Sequence, residues 1–572
     1  MANDIAAGIE RAYAERVDLL VVALTGRTGS GCTTAANILS KAYADIPVFP
    51  NDFSKPEATK VTIANRFCAK QWVPFKHISV STVILSTLLE SDDKEIENLF
   101  KSAKFNNHGG FFDILNALRK ESGKSDFDAC INKGDHKSAA GAWKFYIDQL
   151  VPRAVEVRKI LGASYAPIFQ ILGDNIRFSG NSLKSDVAPD KLFTLIRKVK
   201  RLAKAAFRHD RDKGQPNSTR IVIDAVRNPL ELVYLRDQFA AFFAVAITTN
   251  DSDRINRLEA LGLTRKQIED IDSKEYSKDK KHLDSYPNFV SQNLQDCIQK
   301  SDIFFINPGS PASFDQNIRI LNAQIIRYVA LMLRPGLITP TRDERCMQLA
   351  FVAKANSGCI SRQVGAAIAD ENSSIKAVGW NDVPKGQVPC LLRDVNDLLR
   401  GAPEGFSTFE QTNTKLKSQI SATYQNRNLL TDEGLPCPYC FKTEYNSVIK
   451  QNNQVHTRSL HAEENAFLQL AKHGNSGIAN GFLYTTASPC ELCSKKAFQL
   501  GITEIVYVDP YPGISIPHIL ESGDEKLRPK VRLFSGAIGH AYHRLYDAIL
   551  PIKDEYMARL ARDLQQGLPL GS

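Results

Sequence analysis

Two short motifs decide the fold of the second half of the chain: S-L-H-A-E-E-N-A, which begins at Ser459, and T-A-S-P-C-E-L-C, which ends at Cys493. His461, Cys490 and Cys493 offer one nitrogen and two thiolate ligands, and zinc binds both kinds readily. Three protein ligands leave a fourth position open for water, as a catalytic zinc site requires. Glu463 lies two residues after the histidine, close enough to move a proton of that water. The stretch therefore predicts a zinc site that activates water.

The sequence around these residues predicts their local structure. The run F-L-Y-T-T-A from Phe482 is apolar and β-branched, which favours a strand, and the following S-P favours a helix start with proline in its first turn. Cys490 and Cys493 then lie one helical turn apart on one face. Apolar residues recur every four positions up to Gly474, which predicts a second helix with His461 at its N-terminus. The alternative is a structural or redox C-x-x-C beside a core histidine, but the combined spacing favours catalysis.

H-x-E followed by P-C-x-x-C resembles the signature of zinc-dependent nucleobase deaminases. The resemblance implies that Glu463 takes a proton from the water that attacks C4 of a cytosine ring. It then returns protons to N3 and to the departing amine. The expected products are a uracil compound and ammonia.

Length and composition limit the class of protein. A chain of 572 residues suggests two to four domains, and its N-terminus lacks the basic and apolar segments of a secretion signal. No stretch is apolar enough to suggest a membrane span. Eleven scattered cysteines do not form a disulfide framework, so we expect a reducing, cytoplasmic environment. The net charge of +9 is compatible with nucleotide ligands and does not by itself indicate nucleic acid.

A glycine-rich loop follows an apolar run at Val17–Leu24, which predicts a strand. The loop G-R-T-G-S-G-C-T begins at Gly26 and matches G-x-x-x-x-G-K-[ST] except that Cys32 replaces the lysine. Glycines let several N–H groups face one phosphate, and the next helix adds its positive end. A thiol cannot supply the missing cation. We therefore expect weakened or specialised nucleotide binding, and no ordinary phosphoryl transfer unless Arg27 or another basic residue replaces the lysine. A plain glycine-rich turn is the alternative.

Three further strands are predicted in the first half. R-I-V-I-D ends at Asp224, which would meet Mg²⁺ opposite Thr33, and strands are also predicted within Ala240–Asn250 and Ser301–Gly309. Alternating strands and helices predict a parallel α/β sheet. Asp18–Arg327 thus resembles the P-loop nucleoside and nucleotide kinase-like fold. The predicted nucleotide-binding residues are Gly26, Arg27, Gly29, Gly31, Cys32, Thr33 and Asp224.

Two segments of the first half fit this sheet less directly. Residues from about 90 to 160 are polar and helix-rich, so we interpret them as a helical insertion or lid. Leu192–Arg211 has an apolar helical face and seven basic residues elsewhere. A solvated helix face explains this pattern, and a phosphate or nucleic-acid contact is the alternative.

The second half begins with an amphipathic helix after Thr341 and a predicted hairpin of Val364–Ala369 and Ile375–Trp380. Together with the zinc motif, Thr341–Tyr546 resembles the deoxycytidylate deaminase family, whose cytidine deaminase-like domain is an α/β/α fold. In that family the segment before Q-V-G-A contributes to phosphate binding, the asparagine of G-x-N contacts the sugar, and an aromatic residue lies near the base.

The resemblance implies a set of substrate-binding residues. Ser361 or Arg362 matches the phosphate position, Asn381 the sugar position and Tyr511 the aromatic position. Ala462, between the zinc histidine and the glutamate, completes the set. Each has a structural alternative, because an arginine before a strand is often solvated and an asparagine after one often forms a turn.

An insertion from Leu391 to Ser459 separates the hairpin from the zinc motif. Within it, C-P-Y-C places Cys437 and Cys440 two residues apart, and Cys390 and His456 are further ligand candidates. A second, structural zinc is one interpretation. An apolar turn with free thiols is the other.

The combination of both halves resembles the bacterial anti-phage dCTP and dCMP deaminases. It implies a P-loop kinase-like domain at 1–330, a zinc-dependent deaminase domain at 340–550 and a C-terminal helix or tail at 551–572. It also implies a deoxycytidine nucleotide substrate, depletion of dCTP during infection, a homo-oligomer, and a regulatory first domain that binds a nucleotide with Mg²⁺, or RNA. The alternatives are deamination of cytosine in RNA or single-stranded DNA, and a nucleotide-sensing switch whose deaminase half only binds.

Overall fold

The computed structural model describes residues 2–102, 105, 110–123, 127–135, 137–214, 219–275, 285–309, 314–474, 477–509 and 514–565. The chain divides into two compact units, one of Met1–Thr339 with His540–Ser572 and one of Pro340–Gly539. The division places the chain from His540 onward with the first unit, whereas the domain boundaries expected from the sequence lie at 550 and 551. None of the helices in the described ranges is long and apolar enough to cross a membrane.

The first unit contains a parallel sheet in the order β5-β4-β1-β3-β2. Every residue of β3 and β4 is buried, as is typical of parallel strands covered on both faces. The predicted alternation of strands and helices is therefore confirmed, while the kinase-like assignment stays a prediction. β2 is not predicted from the sequence, because K-H-I-S is short and buries a single residue. The strands are β1 (Leu19–Thr25), β2 (Lys76–Ser79), β3 (Thr219–Asp224), β4 (Ala241–Thr248) and β5 (Ile303–Ile306).

Helices surround this sheet, and those between β2 and β3 share one hydrophobic core with it. Phe100 and Trp143, from the segment interpreted as an insertion, pack in the same cluster as Val21 and Ile221 of the sheet. The segment thus forms a layer of the first unit. The helices are α1 (Ala2–Arg16), α2 (Cys32–Leu39), α3 (Glu57–Gln71), α4 (Val80–Thr87), α5 (Asp93–Ser102), α6 (Phe111–Ser122), α7 (Ala139–Phe145), α8 (Val151–Leu161), α9 (Tyr165–Ser179), α10 (Thr194–Asp212), α11 (Pro229–Gln238), α12 (Asp251–Ala260), α13 (Arg265–Glu275), α14 (Tyr286–Val290), α15 (Leu294–Gln299), α16 (Phe314–Leu333), and, after the second unit, α25 (His540–Tyr546) and α26 (Ile552–Gln565).

The second unit contains a mixed sheet in the order β10-β9-β8-β6-β7. β6 is antiparallel to both of its neighbours, and β8, β9 and β10 run parallel. The predicted hairpin is confirmed, with its first strand starting at Gly365 instead of Val364. The strands are β6 (Gly365–Ala369), β7 (Ile375–Trp380), β8 (Phe482–Ala487), β9 (Glu504–Asp509) and β10 (Lys530–Leu533).

Helices of the second unit pack closely on this sheet and position its chemistry. A Cβ at Gly379 would lie 2.3 Å from the carbonyl oxygen of Ala462, so only glycine allows β7 to approach the helix after His461 this closely. The helices are α17 (Arg342–Lys354), α18 (Val395–Arg400), α19 (Thr408–Thr412), α20 (Thr414–Thr423), α21 (Asn428–Asp432), α22 (Phe441–Ile449), α23 (Ala462–His473) and α24 (Glu491–Gln499).

The segment 391–459 forms helices α18 to α22 with a small hydrophobic core of its own, including Leu398, Leu416 and Tyr439. Arg393, which is 2% exposed, bonds to Glu410 and to the hydroxyl of Tyr439 inside this core. A buried charge needs such a partner, so this ion pair fixes how the helices assemble.

Candidate active site

Two helices of the second unit begin side by side at the predicted zinc ligands. His461 is the N-cap residue of α23, and Cys490 is the N-cap residue of α24. The expectation that α24 starts at Ser488-Pro489 is wrong, since the helix begins at Glu491. The N–H of Ser488 donates to the carbonyl of Asp509 at 2.9 Å and so extends the β8–β9 pairing past Ala487. Cys490 keeps an extended backbone as a result, and Cys493 lies in the first turn.

The three ligand atoms are close enough to bind one metal ion. Nδ1 of His461 lies 3.3 Å from Sγ of Cys490 and 3.5 Å from Sγ of Cys493. All three ligand atoms are within 4.8 Å of one another. Tetrahedral zinc, with its usual bond lengths to nitrogen and sulfur, separates such ligands by about 3.6 Å. The donor set therefore fits zinc, and this is the only such group of three within the described ranges.

The protonation of these ligands follows from their contacts. A hydrogen bond from Cys493, supported by His461, lowers the pKa of Cys490 to about 4, and the same shared proton raises the pKa of Cys493. The hydrogen bond with Cys490 also raises the pKa of His461. One thiolate is therefore present at neutral pH, and binding of zinc releases the remaining ligand protons.

Glu463 lies in the first turn of α23 and is 4% exposed. Its Oε1 accepts a hydrogen bond from Oγ1 of Thr485 at 3.2 Å, so the next strand holds the carboxyl group in place. Burial raises the pKa of Glu463. A raised pKa makes the carboxylate a stronger base and keeps its proton bound to higher pH, so the group is suited to accept and return a proton, as general acid–base catalysis requires.

Glu464 and Lys496 join α23 and α24, which begin at the predicted zinc ligands, and this pair is not predicted from the sequence. The carboxylate of Glu464 pairs with Nζ of Lys496, which lies one turn after Cys493. Its other oxygen accepts the N–H of His461 at 3.4 Å, in a capping box. The three-residue spacing of His461 and Glu464 is that of an S-x-x-E capping box, and this spacing could have indicated the role of Glu464 from the sequence.

We predict that Lys496→Met weakens zinc binding by about tenfold, as loss of an outer-shell partner does at other metal sites. Without the ammonium, the carboxylate of Glu464 no longer ties α23 to α24. The rate of zinc release to a coloured chelator measures this effect. Lys495→Met is the matched control, because Lys495 is exposed on the same helix and should release zinc at the wild-type rate. Equal release rates for the two variants would contradict the prediction.

The predicted substrate-binding residues have specific partners in the structure. Arg362 forms an ion pair with Asp509, whose side chain is fully buried at the end of β9. Asn381 is engaged at both ends of its amide: Oδ1 accepts the N–H of Val364 at 2.7 Å, and Nδ2 donates to the carbonyl of Arg362 at 2.7 Å. Asn381 thus ties the end of β7 to the segment that enters β6.

The remaining residues of the predicted substrate-binding set are Ser361, Ala462 and Tyr511. Ser361 is exposed, and Ala462 is buried against Gly379. Tyr511 lies outside the described residues.

The glycine-rich loop joins β1 to α2, as predicted. Gly29 and Gly31 have φ angles of 87° and 106°, which only glycine adopts without strain. Oγ1 of Thr33 donates to Oδ2 of Asp224 at 2.8 Å, so these two predicted residues meet.

Arg27, which was considered as a replacement for the lysine, is already paired, and Cys32 at the lysine's position carries no charge. Arg27 pairs with Asp251 and, at 3.0 Å, with Asp272. Burial raises the pKa of Cys32 to about 12, so its thiol stays neutral at neutral pH. Arg27 would have to exchange these carboxylates for a phosphate in order to replace the lysine.

The four residues considered for a second metal do not come together as a ligand cluster in the described ranges. Cys437 is 1% exposed in the hydrophobic core of the insertion. Sγ of Cys390 accepts a hydrogen bond from Arg458 at 3.7 Å, and the ring of His456 packs edge-on against Tyr445. These contacts favour the alternative, in which Cys437 and Cys440 are free thiols of an apolar turn.

Residues 340–509 match the family model of the cytidine and deoxycytidylate deaminase zinc-binding region. Over 200 residues the chain is 30% identical to the deoxycytidylate deaminase of Schizosaccharomyces pombe, covering 34% of this chain and 46% of that protein. It is 30% identical over 169 residues to the deoxycytidylate deaminase of Enterobacteria phage T2, covering 29% of this chain and 78% of that protein. The chain belongs to the deoxycytidylate deaminase family.

All residues that the family model matches lie in the second unit. The predicted hydrolase class and the predicted zinc are both supported by that model and by the curated deoxycytidylate deaminases. The chain spans less than half the length of the S. pombe relative.

Two solved structures of the dCMP deaminase from the cyanophage S-TIM5 are also similar to the chain. The apo form shares 23% identity at a TM-score of 0.20 and covers 34% of this chain and all of that one. The complex with dCMP and dUMP shares 24% identity at a TM-score of 0.21, covering 34% of this chain and 99% of that one.

Proposed function

We propose that the chain converts dCMP, dCTP or both into the deoxyuridine nucleotide and ammonia by hydrolysis. The observation that carries this proposal is the buried carboxyl group of Glu463, two residues after His461 at the start of α23, beside the Cys490 and Cys493 thiols at the start of α24. Membership of the deoxycytidylate deaminase family supports cytosine as the base and a deoxynucleotide as the substrate class.

The residues of this site divide the chemistry between them. His461, Cys490 and Cys493 would hold zinc, which acts as a Lewis acid that makes water acidic enough to ionise near neutral pH. Glu463 accepts the two protons of the attacking water in turn, delivering one to N3 of the ring and the other to the departing amine. Thr485 keeps the carboxyl group oriented through its hydrogen bond. Burial of Glu463 excludes bulk water from these transfers.

A panel of substrates tests the proposal. The zinc-loaded protein is incubated with dCMP, dCTP, deoxycytidine and a single-stranded DNA oligonucleotide, and the uracil product and the zinc content are measured on the same sample. We expect turnover of a deoxynucleotide and none of the oligonucleotide. Uracil formed in the oligonucleotide alone would favour a polymer-editing deaminase, and tight nucleotide binding without any turnover would favour a binding module.

The basic helix α10 gives little support to the polymer alternative. Arg201 donates to the carbonyl of Ile131, and Arg211 pairs with Asp18, so these cations are engaged within the first unit. Contacts within the first unit thus account for these two cations without nucleic acid.

We predict that Arg362→Ala lowers the free energy of unfolding of the second unit by about 3 kcal/mol, because the buried carboxylate of Asp509 loses its guanidinium partner. The variant Arg362→Ala/Asp509→Asn should recover most of this loss. Thermal unfolding measures both effects. If Arg362 also contacts the substrate phosphate, the double variant will still show a raised KM for dCMP and an unchanged KM for deoxycytidine. Equal stability of the single variant and the wild type would contradict the ion pair.

For the first unit we propose a regulatory nucleotide site with Mg²⁺ at the loop from Gly26 to Thr33. The strand–loop–helix order and the contact between Thr33 and Asp224 support it. Gly31→Val tests it, because a Cβ there would lie 2.1 Å from Nδ2 of Asn307 and deform the loop. Unchanged nucleotide binding and unchanged deamination by this variant would reduce the loop to a structural turn.

We further propose that deamination depletes dCTP in defence against phage and that the chain acts as a homo-oligomer. The resemblance of the two-unit arrangement to anti-phage deaminases supports both. Measuring dCTP pools in infected cells that express the wild type or Glu463→Gln tests the first part, and sedimentation of the purified protein tests the second. Equal pools in the two strains would exclude a defensive role for the catalysis.

A further inference from the structure

The ring nitrogen Nε2 of His77 lies beside the carboxylate of Asp224, near the glycine-rich loop, without forming a hydrogen bond to it. Nε2 of His77, on β2, lies 3.6 Å from Oδ2 of Asp224, at the end of β3. Nε2 of His77 and Oδ1 of Asp224 are both inaccessible to solvent and make no hydrogen bond to any residue that the structure describes. Asp224 as a whole is 6% exposed. Buried polar atoms of this kind usually have a partner, so their position indicates a ligand.

Thr33 adds a third donor, which faces the same oxygen of Asp224 as His77 does. Its Oγ1 lies 2.8 Å from Oδ2 of Asp224. Neighbouring ligands of an octahedral divalent ion with bonds near 2.1 Å are about 3 Å apart. The two distances to Asp224, 2.8 Å and 3.6 Å, bracket that value. A hydroxyl, a carboxylate and an imidazole therefore converge at the spacing of one cation's ligands.

The imidazole changes which cation this set would select. A hydroxyl and a carboxylate offer only oxygen, which suits Mg²⁺, whereas imidazole nitrogen binds first-row transition metals more strongly. The loop also lacks a lysine, and Arg27 is engaged by Asp251 and Asp272. A phosphate held by this loop thus needs positive charge from another source.

We propose that His77, Asp224 and Thr33 form a divalent-cation site that prefers a transition metal such as Mn²⁺ to Mg²⁺. In this proposal, which rests on the regulatory nucleotide site proposed above, the cation supplies the charge that Cys32 cannot supply to the phosphate. His77 is the residue that gives the site its preference, because it is the nitrogen donor among the three.

Titration of the zinc-loaded, full-length protein with Mn²⁺, followed by the electron paramagnetic resonance signal of free Mn²⁺, tests the proposal. We expect one Mn²⁺ per chain in addition to the zinc, displaced only when Mg²⁺ exceeds Mn²⁺ by about tenfold or more. His77→Gln should weaken Mn²⁺ binding by about tenfold while leaving Mg²⁺ binding nearly unchanged. Asp224→Asn should weaken the binding of both ions by about tenfold or more, since it removes the anionic ligand.

His209→Gln is the matched control, because Nδ1 of His209 faces Asp210 at 3.5 Å but lies on α10, away from the loop. It should bind Mn²⁺ like the wild type. Thr33→Val serves as a second ligand variant if His77→Gln does not fold, and should weaken the binding of both ions. Absence of Mn²⁺ beyond the zinc site, equal affinity for the two ions, or unchanged binding by both ligand variants would overturn the proposal.

Two further measurements on the same samples separate this inference from the proposed function. A protein that deaminates dCMP but binds no additional Mn²⁺ would refute the cation site and keep the deaminase. A protein that binds Mn²⁺ through His77 but leaves dCMP unchanged would support the cation site and refute the proposed deamination of dCMP. Mn²⁺ binding retained in Gly31→Val despite loss of nucleotide binding would support the cation site, because the three residues would then bind the ion without the phosphate.

Discussion

Glu463→Gln will keep one zinc per chain and lose dCMP turnover by about 10³-fold, because glutamine cannot accept the proton of the attacking water. Glutamine has nearly the size of glutamate and can still contact the hydroxyl of Thr485, so the fold and the ligand set remain. The measurements are kcat for dCMP and zinc per chain by metal analysis.

The matched control for this variant is Glu491→Gln. Glu491 lies in the first turn of the other zinc-binding helix, and its side chain accepts the N–H of Ile514 at 3.1 Å. This variant should keep both its zinc and its rate within a factor of about two, as surface substitutions usually do. A rate for Glu463→Gln close to that of Glu491→Gln would refute the proton-transfer role.

Cys493→Ser will weaken zinc binding by about 10²-fold or more. A site with an overall binding free energy of about 10–16 kcal/mol loses one of its protein ligands in this variant. Cys493 is 1% exposed, so water cannot easily replace the thiolate. Turnover will fall in parallel with zinc content, which dialysis against a chelator and metal analysis measure together.

Cys359→Ser is the control for this change, because Cys359 is a partly buried free thiol outside the ligand cluster. It should retain zinc like the wild type. Full zinc content in Cys493→Ser after dialysis would mean that the ligand set is assigned incorrectly.

The parts of the fold that are predictable from the sequence are those fixed by local pattern. The strand at Phe482–Ala487, the helix ending before Gly474 and the hairpin of β6 and β7 all follow from periodicity and turn residues. β2 could not be predicted from the sequence, because four residues with one buried position show no recognisable hydrophobic periodicity. The start of α24 was also predicted incorrectly. The backbone of Ser488 pairs with the neighbouring strand, and the local sequence gives no sign of such pairing.

In the candidate site, too, the residues set by local motifs are predictable from the sequence, whereas the contacts between distant segments are not. The predicted zinc ligands lie in motifs whose spacing reflects their chemistry, and the structure brings His461, Cys490 and Cys493 together as the sequence predicts. The pairing of Arg362 with Asp509 and that of Glu464 with Lys496 join distant segments through the tertiary fold. Asn381 matches a sugar-binding position by resemblance, but its amide is occupied by the backbone next to β6.

The most direct test of the central claim is incubation of the zinc-loaded protein with dCMP in water enriched in ¹⁸O. The account predicts dUMP and ammonia in equal amounts, with one ¹⁸O atom at C4 of the uracil ring, and no product from Glu463→Gln above background. A folded, fully zinc-loaded protein that forms no deoxyuridine nucleotide from either dCMP or dCTP would contradict it.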